Sequence, residues 1–366
     1  MTTIRTADML HSLLHRLRDG APGDPVSREE IEFLLNLTAP QDLDILFRAA
    51  AGTRAQYFGN QIFLYGFLYF STFCRNNCRF CQYRRANTGL PRYRKTPEEI
   101  IDAAERMAGS GVHLIDLTMG EDPAWHENGE AGFKRLAELV EEVHKRTGLP
   151  VMVSPGVLPE VVLERLAASG VHWYACYQET HTPALYTDLR QGQDFDTRIA
   201  RKHQARSAGI LVEEGILTGV GETTADIAGS ILWMRDFGVD QARVMTFVPQ
   251  PGTPMAGLPG RDNLRELVTI AVMRLVLRDC LIPASLDVDG LDGLPARLSA
   301  GANVVTSIVP PEQGLAGVAN RSLDIEESRR SLDTILPVIK GCGLEAASAD
   351  DYLAWADRRR KSHFLK

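Results

Sequence analysis

Eight apolar, β-rich segments recur along this chain, and helical patterns fill the intervals between them. The segments are Phe63–Ser71, His113–Gly120, Pro150–Gly156, His172–Glu179, Ile210–Gly219, Ala242–Pro249, Leu281–Val288 and Asn303–Pro310. Helical periodicity follows at Pro97–Ala108, Gly132–Arg146, Asp226–Asp236 and Leu264–Arg278, among others. Strands joined through helices lie parallel, and eight such units close into a ring. The order predicts an α/β fold, a (β/α)8 TIM-like barrel over residues 56–346. Helices at about 6–18, 27–37 and 40–52, broken by Gly20–Pro25, predict a short N-terminal helical extension over 1–55. From about Arg321 the chain reads as the eighth helix, with a C-terminal helix or polar tail over 347–366.

The 366 residues are 44% hydrophobic, enough for one large barrel and a small extension. The net charge of -7 is spread without long like-charge runs, so neither a nucleic-acid face nor a polybasic membrane patch is expected. No apolar run is long enough to span a membrane. The first twenty residues lack the apolar core of a secretory signal, and Asp8 and Asp19 argue against a transit peptide. Leu10, Leu13, Leu14 and Leu17 fall at helical spacing instead. A cytoplasmic protein with small-molecule partners is expected.

Three of the 6 cysteines, Cys74, Cys78 and Cys81, lie in the segment STFCRNNCRFCQYR directly after the first strand. In a large chain without an export signal such clustering points to metal, not disulfides. Structural zinc wants four protein ligands, and no fourth Cys or His is near, although a zinc site stays open as the alternative. An iron–sulfur cube held by three thiolates keeps one iron free for an external ligand. Cys176, Cys280 and Cys342 are scattered and read as small buried hydrophobes.

Alternation along the strands sets polar residues on inner faces. Asp116, Thr118 and Gly120 share one face, Ser285, Asp287 and Asp289 another, and Arg243, Met245 and Phe247 a third. Asp116, Arg243, Ser285 and Asp287 would then converge inside the barrel. Guanidinium and carboxylates form a receptor for a zwitterionic amino acid. A structural Arg–Asp pair explains the same pattern equally well. Ser154 ends the third strand, and Gly219 and its neighbours close the fifth in a turn that either admits an adenine or is simply tight.

Taken together, the cysteine segment and the passages IDLTMGEDP, VSPGV, YQET, LRQGQDF, GILTGVGET, RVMTFVPQPGTP, IPASLDVDGLDG and LSAGANVVTSIVP resemble the radical S-adenosylmethionine (SAM) family. The similarity runs from about Tyr57 to Ala346, in the branch containing biotin synthase and the hydrogenase-cluster maturase, and is greatest to the 3-methylornithine synthases. It implies a 4Fe-4S cluster on Cys74, Cys78 and Cys81, SAM as cofactor, and an external electron donor of flavodoxin or ferredoxin type. It implies SAM contacts from Phe80, Thr118, Gly120, Glu121, Ser154, Glu179, Arg198 and Gly219, although Met119 replaces the first glycine of the family's Gly-Gly-Glu turn. Asp116, Arg243, Ser285 and Asp287 match the amino-acid contacts. The activity implied is a lysine mutase: a 5′-deoxyadenosyl radical takes hydrogen from L-lysine or a related diamino acid, whose side chain fragments and recombines as (2R,3R)-3-methylornithine, the first step of pyrrolysine biosynthesis. Another radical SAM mutase or maturase on this scaffold, and a non-enzymatic metal-binding barrel, are the alternatives. Too few further cysteines are present for the second cluster of a sulfur-inserting enzyme.

Overall fold

The computed structural model describes residues 2–20, 26–259, 263–309, 315 and 330–363. Eight strands form the barrel: β1 (Gln61–Ser71), β2 (Leu114–Met119), β3 (Val151–Ser154), β4 (Val171–Ala175), β5 (Leu211–Thr218), β6 (Gln241–Thr246), β7 (Pro283–Ser285) and β8 (Val304–Ile308). They follow the order β6-β5-β4-β3-β2-β1-β8-β7, and every neighbouring pair is parallel. The ring nearly closes between β6 and β7, where Ala242 N donates to Leu281 O at 2.9 Å and Leu281 N to Asp240 O at 3.0 Å. That seam holds only the entering ends of the two strands, because β7 is three residues long. Barrels of this kind carry their sites at the carboxyl ends of the strands.

Each expected strand is present, mostly shorter than its apolar run. Side chains remain buried past the point where ladder hydrogen bonds stop, so hydrophobicity overstates strand length. The N-terminal helices run Thr2–Asp19, Arg28–Leu35 and Pro40–Phe58. They pack outside the ring against the helices Thr224–Phe237, Leu264–Val276 and Leu294–Ser299. Helix Leu264–Val276 is thereby enclosed, and its Arg274 is fully buried. The Arg274 guanidinium satisfies itself on the carbonyls of Gly301, Arg278 and Cys280 and on Asn303. Burial lowers its pKa to about 9.

Residues 310 and 321–329, part of the expected eighth strand and helix, lie outside the described residues. Helix Leu332–Gly341 follows, then a two-residue strand β9 (Glu345–Ala346) that extends β1 at Gln61 and Ile62. So short a strand leaves no periodic trace in sequence. The final helix, Ala349–His363, closes the barrel floor. Trp355 stacks on Trp173 with centroids 6.0 Å apart and planes 6° apart, while Trp173 Nε1 donates to Tyr352 Oη at 2.8 Å. Among the described residues no helix is long and apolar enough to cross a membrane.

Candidate active site

With the floor closed by aromatic rings, the remaining space opens at the carboxyl ends of the strands. A cavity of about 250 Å³ lies there, bordered by the cysteine loop and by the inward residues of most strands. The loop leaves β1 at Ser71 and is gathered by Arg92, which donates to the carbonyls of Tyr83, Arg84 and Asn87 at 3.1, 2.9 and 3.0 Å and also to that of Thr72. Asp122 binds Arg94 through both oxygens, at 2.7 and 2.6 Å, and so ties the far end of the loop to β2.

Cys74, Cys78 and Cys81 are free thiols that border this cavity. Burial pushes Cys74 up to about 11 and raises Cys81 as well, so these thiols stay protonated until a cationic group takes them. Among the described residues, no three His, Cys, Asp or Glu side chains are gathered for a single metal ion. Three thiols that share a cavity without converging on one ion, and without a fourth ligand, suit an iron–sulfur cube with one iron left open.

The loop approaches β2 so closely that only glycine fits at 120. A Cβ there would stand 2.6 Å from Phe73 O and 2.8 Å from Cys74 Cβ. Glu121 follows, buried between two guanidinia: Oε2 accepts from Arg75 Nε at 3.0 Å and Oε1 from Arg198 Nη2 at 3.3 Å. Arg198 is 3% exposed, so its place in the first turn of helix Phe195–Ser207 is an inward one. Its Nη1 reaches Cys176 Sγ at 3.0 Å. Cys176 therefore borders the cavity beside a guanidinium, where the sequence suggested a plain apolar filler.

Glu179 occupies the left-handed region at φ 68 and accepts from Arg190 Nη2 at 2.6 Å. Burial raises its pKa against the pull of Arg190 and Arg198. The conformation is imposed from behind. Glu179 N donates to Gly215 O at 3.0 Å and Gln178 N to Glu214 Oε1 at 2.7 Å, while Lys202 Nζ holds Glu214 Oε2 at 2.6 Å. Burial alone would raise the Glu214 carboxyl, but Lys202 and His181 outweigh it and bring it to about 2. Phe80 lies beneath the Arg190 guanidinium, 5.4 Å away, and borders the cavity.

Thr118 and Ser154 both turn to one carboxylate, donating to Asp116 Oδ1 at 2.8 and 3.2 Å. Gly219 stands apart from the cavity lining. Its amide donates to the Glu222 carboxylate at 2.9 and 3.0 Å, and Leu217 and Phe247 form the wall nearby.

At the other end, Arg243 on β6 gives Nε to Glu213 Oε1 at 2.7 Å and Nη1 to Thr306 Oγ1 at 3.0 Å. Burial would lower its pKa, but Glu213 outweighs this and raises it. Tyr177 donates to Glu213 Oε2 at 3.0 Å. Asp287 accepts from Ser285 and Ser307 at 3.1 and 2.9 Å and from Arg330 Nη1 at 2.7 Å. Ser285 thus stands behind Asp287, outside the cavity lining. Asp289 leaves the inner face altogether to meet Arg297 Nη2 at 3.0 Å, because β7 ends at Ser285 and alternation stops with it. Asp116, on the opposite wall, forms no ion pair among the described residues, and burial, with the Glu213 charge, raises it to about 7 against the pull of its hydrogen bonds and the Arg243 charge. Glu213, Tyr177, Arg190, Gln193 and Arg330 were not singled out in the sequence. Glu213 is followed directly by Glu214 on the opposite face, so alternation could not choose between the two, and Arg330 follows a segment with no strand period.

Residues 68–234 match the radical SAM superfamily. The 3-methylornithine synthase of Methanosarcina barkeri is 43% identical over 91% of this chain and 93% of its own length. That of Methanosarcina acetivorans is 42% identical over 90% and 93% respectively. A crystal structure of methylornithine synthase, 42% identical, superposes with TM-score 0.88 and covers 94% of this chain and 99% of that one. The chain belongs to the 3-methylornithine synthase family of radical SAM enzymes.

Proposed function

We propose that this protein isomerises L-lysine to (2R,3R)-3-methylornithine, the first step of pyrrolysine biosynthesis. The 4Fe-4S cluster and SAM, held at Cys74, Cys78 and Cys81, supply the hydrogen-abstracting chemistry when bound. The protein's own part is to bind the diamino acid at both ends and keep its pieces together.

The observation that carries this reading is the unpaired carboxylate of Asp116 facing the Arg243–Asp287 wall. At the substrate end three carboxylates, Asp116, Glu213 and Asp287, meet two guanidinia, Arg243 and Arg330. One negative charge is left over, which a ligand of net charge +1 neutralises. Lysine, with two ammonium groups and one carboxylate, has that charge. Its α-carboxylate takes the free Nη2 of Arg243 and its α-ammonium takes Asp287. Its side-chain ammonium crosses the cavity to Asp116, which the hydroxyls of Thr118 and Ser154 orient. When the carbon–carbon bond between head and tail breaks, each fragment still has a charged anchor, so recombination is faster than escape.

On the cofactor side, Arg198, Glu121 and Glu179 face the cluster loop and provide charged contacts for the methionine part of SAM. Electrons come from a flavodoxin- or ferredoxin-type donor in the cytoplasm. Supporting this, the cluster loop carries Arg75, Arg79, Arg84, Arg85, Arg92, Arg94 and Lys95 and no acidic residue between 72 and 97, in a chain of net charge -7.

Anaerobic protein reconstituted with iron and sulfide, then given SAM, reductant and L-lysine, is expected to form methylornithine. Arg243→Ala is expected to lose turnover while keeping its iron. Vigorous deoxyadenosine formation from a different amino acid, with none from lysine, overturns the substrate.

A further inference from the structure

We infer that Gln193 is a tuning residue for the cluster, joining the guanidinium that faces SAM to the sulfur of Cys78. The inference rests on the reading of Cys74, Cys78 and Cys81 as the cluster ligands.

Gln193 lies in the tight connection between helices Pro183–Leu189 and Phe195–Ser207, where Gln193 N donates to Arg190 O at 3.0 Å. Gly192, at φ 75, makes that turn possible without strain. The side chain is then held at both ends. Its Oε1 accepts from Arg198 Nη2 at 2.8 Å and from Arg190 Nη1 at 3.3 Å, and its Nε2 donates to Cys78 Sγ at 3.1 Å.

An amide placed alone could be turned either way. Here the two guanidinia decide it, because arginine only donates and so must meet the carbonyl oxygen. The NH2 end is left facing the sulfur. Arg190 Nη1 adds a second, longer approach to the same atom, 3.7 Å away. Cys74 differs: its sulfur accepts from the backbone N of Asn76 at 3.5 Å. Among the described residues, side-chain donors converge on Cys78.

An N–H donor to a cluster thiolate stabilises the extra electron of the reduced state and raises the reduction potential. The Gln193 amide is polarised by Arg198 at its other end, and a chain of hydrogen bonds transmits such polarisation. A carboxylate arriving at Arg198 competes with Gln193 Oε1 for Nη2, so the N–H···S bond responds to whether SAM is present. Gln193 thereby makes the ease of cluster reduction depend on cofactor occupancy, by a route through protein rather than through the open iron.

The test is a potentiometric titration of the reconstituted cluster followed by EPR, with and without SAM. Gln193→Glu keeps the two arginine contacts and the size but exchanges the donor for a carboxylate beside sulfur. At a potential where half the wild-type cluster is reduced, its ratio of reduced to oxidised cluster is expected to fall at least tenfold, a shift of about 59 mV for one electron. In Gln193→Leu, which lacks both bonds, the shift on adding SAM is expected to be smaller than in the wild type. Wild-type potentials in both variants at full iron content overturn the proposal. Should the variants hold iron poorly, wild-type protein with side-chain 15N-glutamine gives a second reading. A 15N coupling to the reduced cluster in pulsed EPR supports the bond, and its absence overturns it. A wild-type protein that holds no cluster at all instead refutes the ligand assignment, which iron analysis shows directly.

Discussion

Glu213 Oε1 stands 2.7 Å from Arg243 Nε and fixes which face of that guanidinium the cavity sees. Thr306 takes one hydrogen of Nη1, and both hydrogens of Nη2 are left to be offered to a ligand. The second Glu213 oxygen holds Tyr177, whose ring lies beneath the guanidinium at 5.8 Å. One buried carboxylate therefore sets the receptor for the amino-acid carboxylate without touching it.

Glu213→Gln is expected to raise the KM for lysine about tenfold to a hundredfold, equivalent to roughly 1.4–2.8 kcal/mol. The neutral amide still accepts from Nε but leaves a buried guanidinium less compensated, so its orientation loosens. Iron content and SAM binding should stay at wild-type levels. Lysine-dependent deoxyadenosine formation measures the change, and an unaltered KM would remove Glu213 from the receptor.

Asp116 predicts a pH dependence. Burial raises its pKa to about 7, with the Glu213 charge adding to the effect. Lysine binding needs the carboxylate, so KM is expected to fall as pH rises towards 7 and to level off above it. For the empty protein the sign is opposite. A carboxyl that titrates higher when folded than when unfolded keeps its proton in the native state, so stability declines as pH rises from about 4 to about 7. Asp116→Asn removes that penalty. Near pH 8 the variant should resist urea better than the wild type by an amount on the order of 1–3 kcal/mol, yet bind lysine far more weakly. A wild-type response to urea that ignores pH across this window would contradict the buried, uncompensated charge.

These two residues also mark what a sequence discloses. Asp116 and Arg243 were readable because each lies within a strand of six residues, long enough for alternation to choose a face. The cysteine loop was readable because its chemistry depends on spacing along the chain. Asp289 was misplaced because β7 is too short to carry alternation past Ser285. Arg190 and Gln193 had no period to reveal them, since they sit between two helices and gain meaning only from Cys78 across space. The floor was missed for a related reason. Trp355 and Tyr352 belong to a helix rich in charge, and only folding sets them against Trp173.

The floor makes its own prediction. Trp355 is buried against Trp173 and Phe63, far from the cysteine loop. Trp355→Ala removes a large ring from a site enclosed by rigid strands, where collapse is limited, and should cost about 3–5 kcal/mol. Thermal unfolding is expected at lower temperature, while protein kept folded in the cold binds iron and lysine normally. Loss of lysine affinity at low temperature would mean that the floor shapes the receptor as well as supporting it.

The charge surplus at the substrate end yields a final prediction about selectivity. Norleucine keeps lysine's six-carbon chain but lacks the side-chain ammonium and ends in a methyl group, so it leaves Asp116 facing an apolar end. An unpaired buried carboxylate is costly, and sites built around a polar partner commonly reject analogues lacking it by about 10⁴-fold. Here rejection should be weaker, because a carboxyl with a pKa of about 7 takes up a proton with little penalty. At pH 8 norleucine is expected to compete with lysine about 10²- to 10³-fold less well. The ratio should shrink as pH falls towards 6, where the neutral acid tolerates the methyl group and gains nothing from the ammonium. In Asp116→Asn the discrimination should be small at every pH. Competition against lysine-dependent deoxyadenosine formation measures all three, and a norleucine ratio that stays constant from pH 6 to 8 would show that Asp116 does not receive the side-chain ammonium.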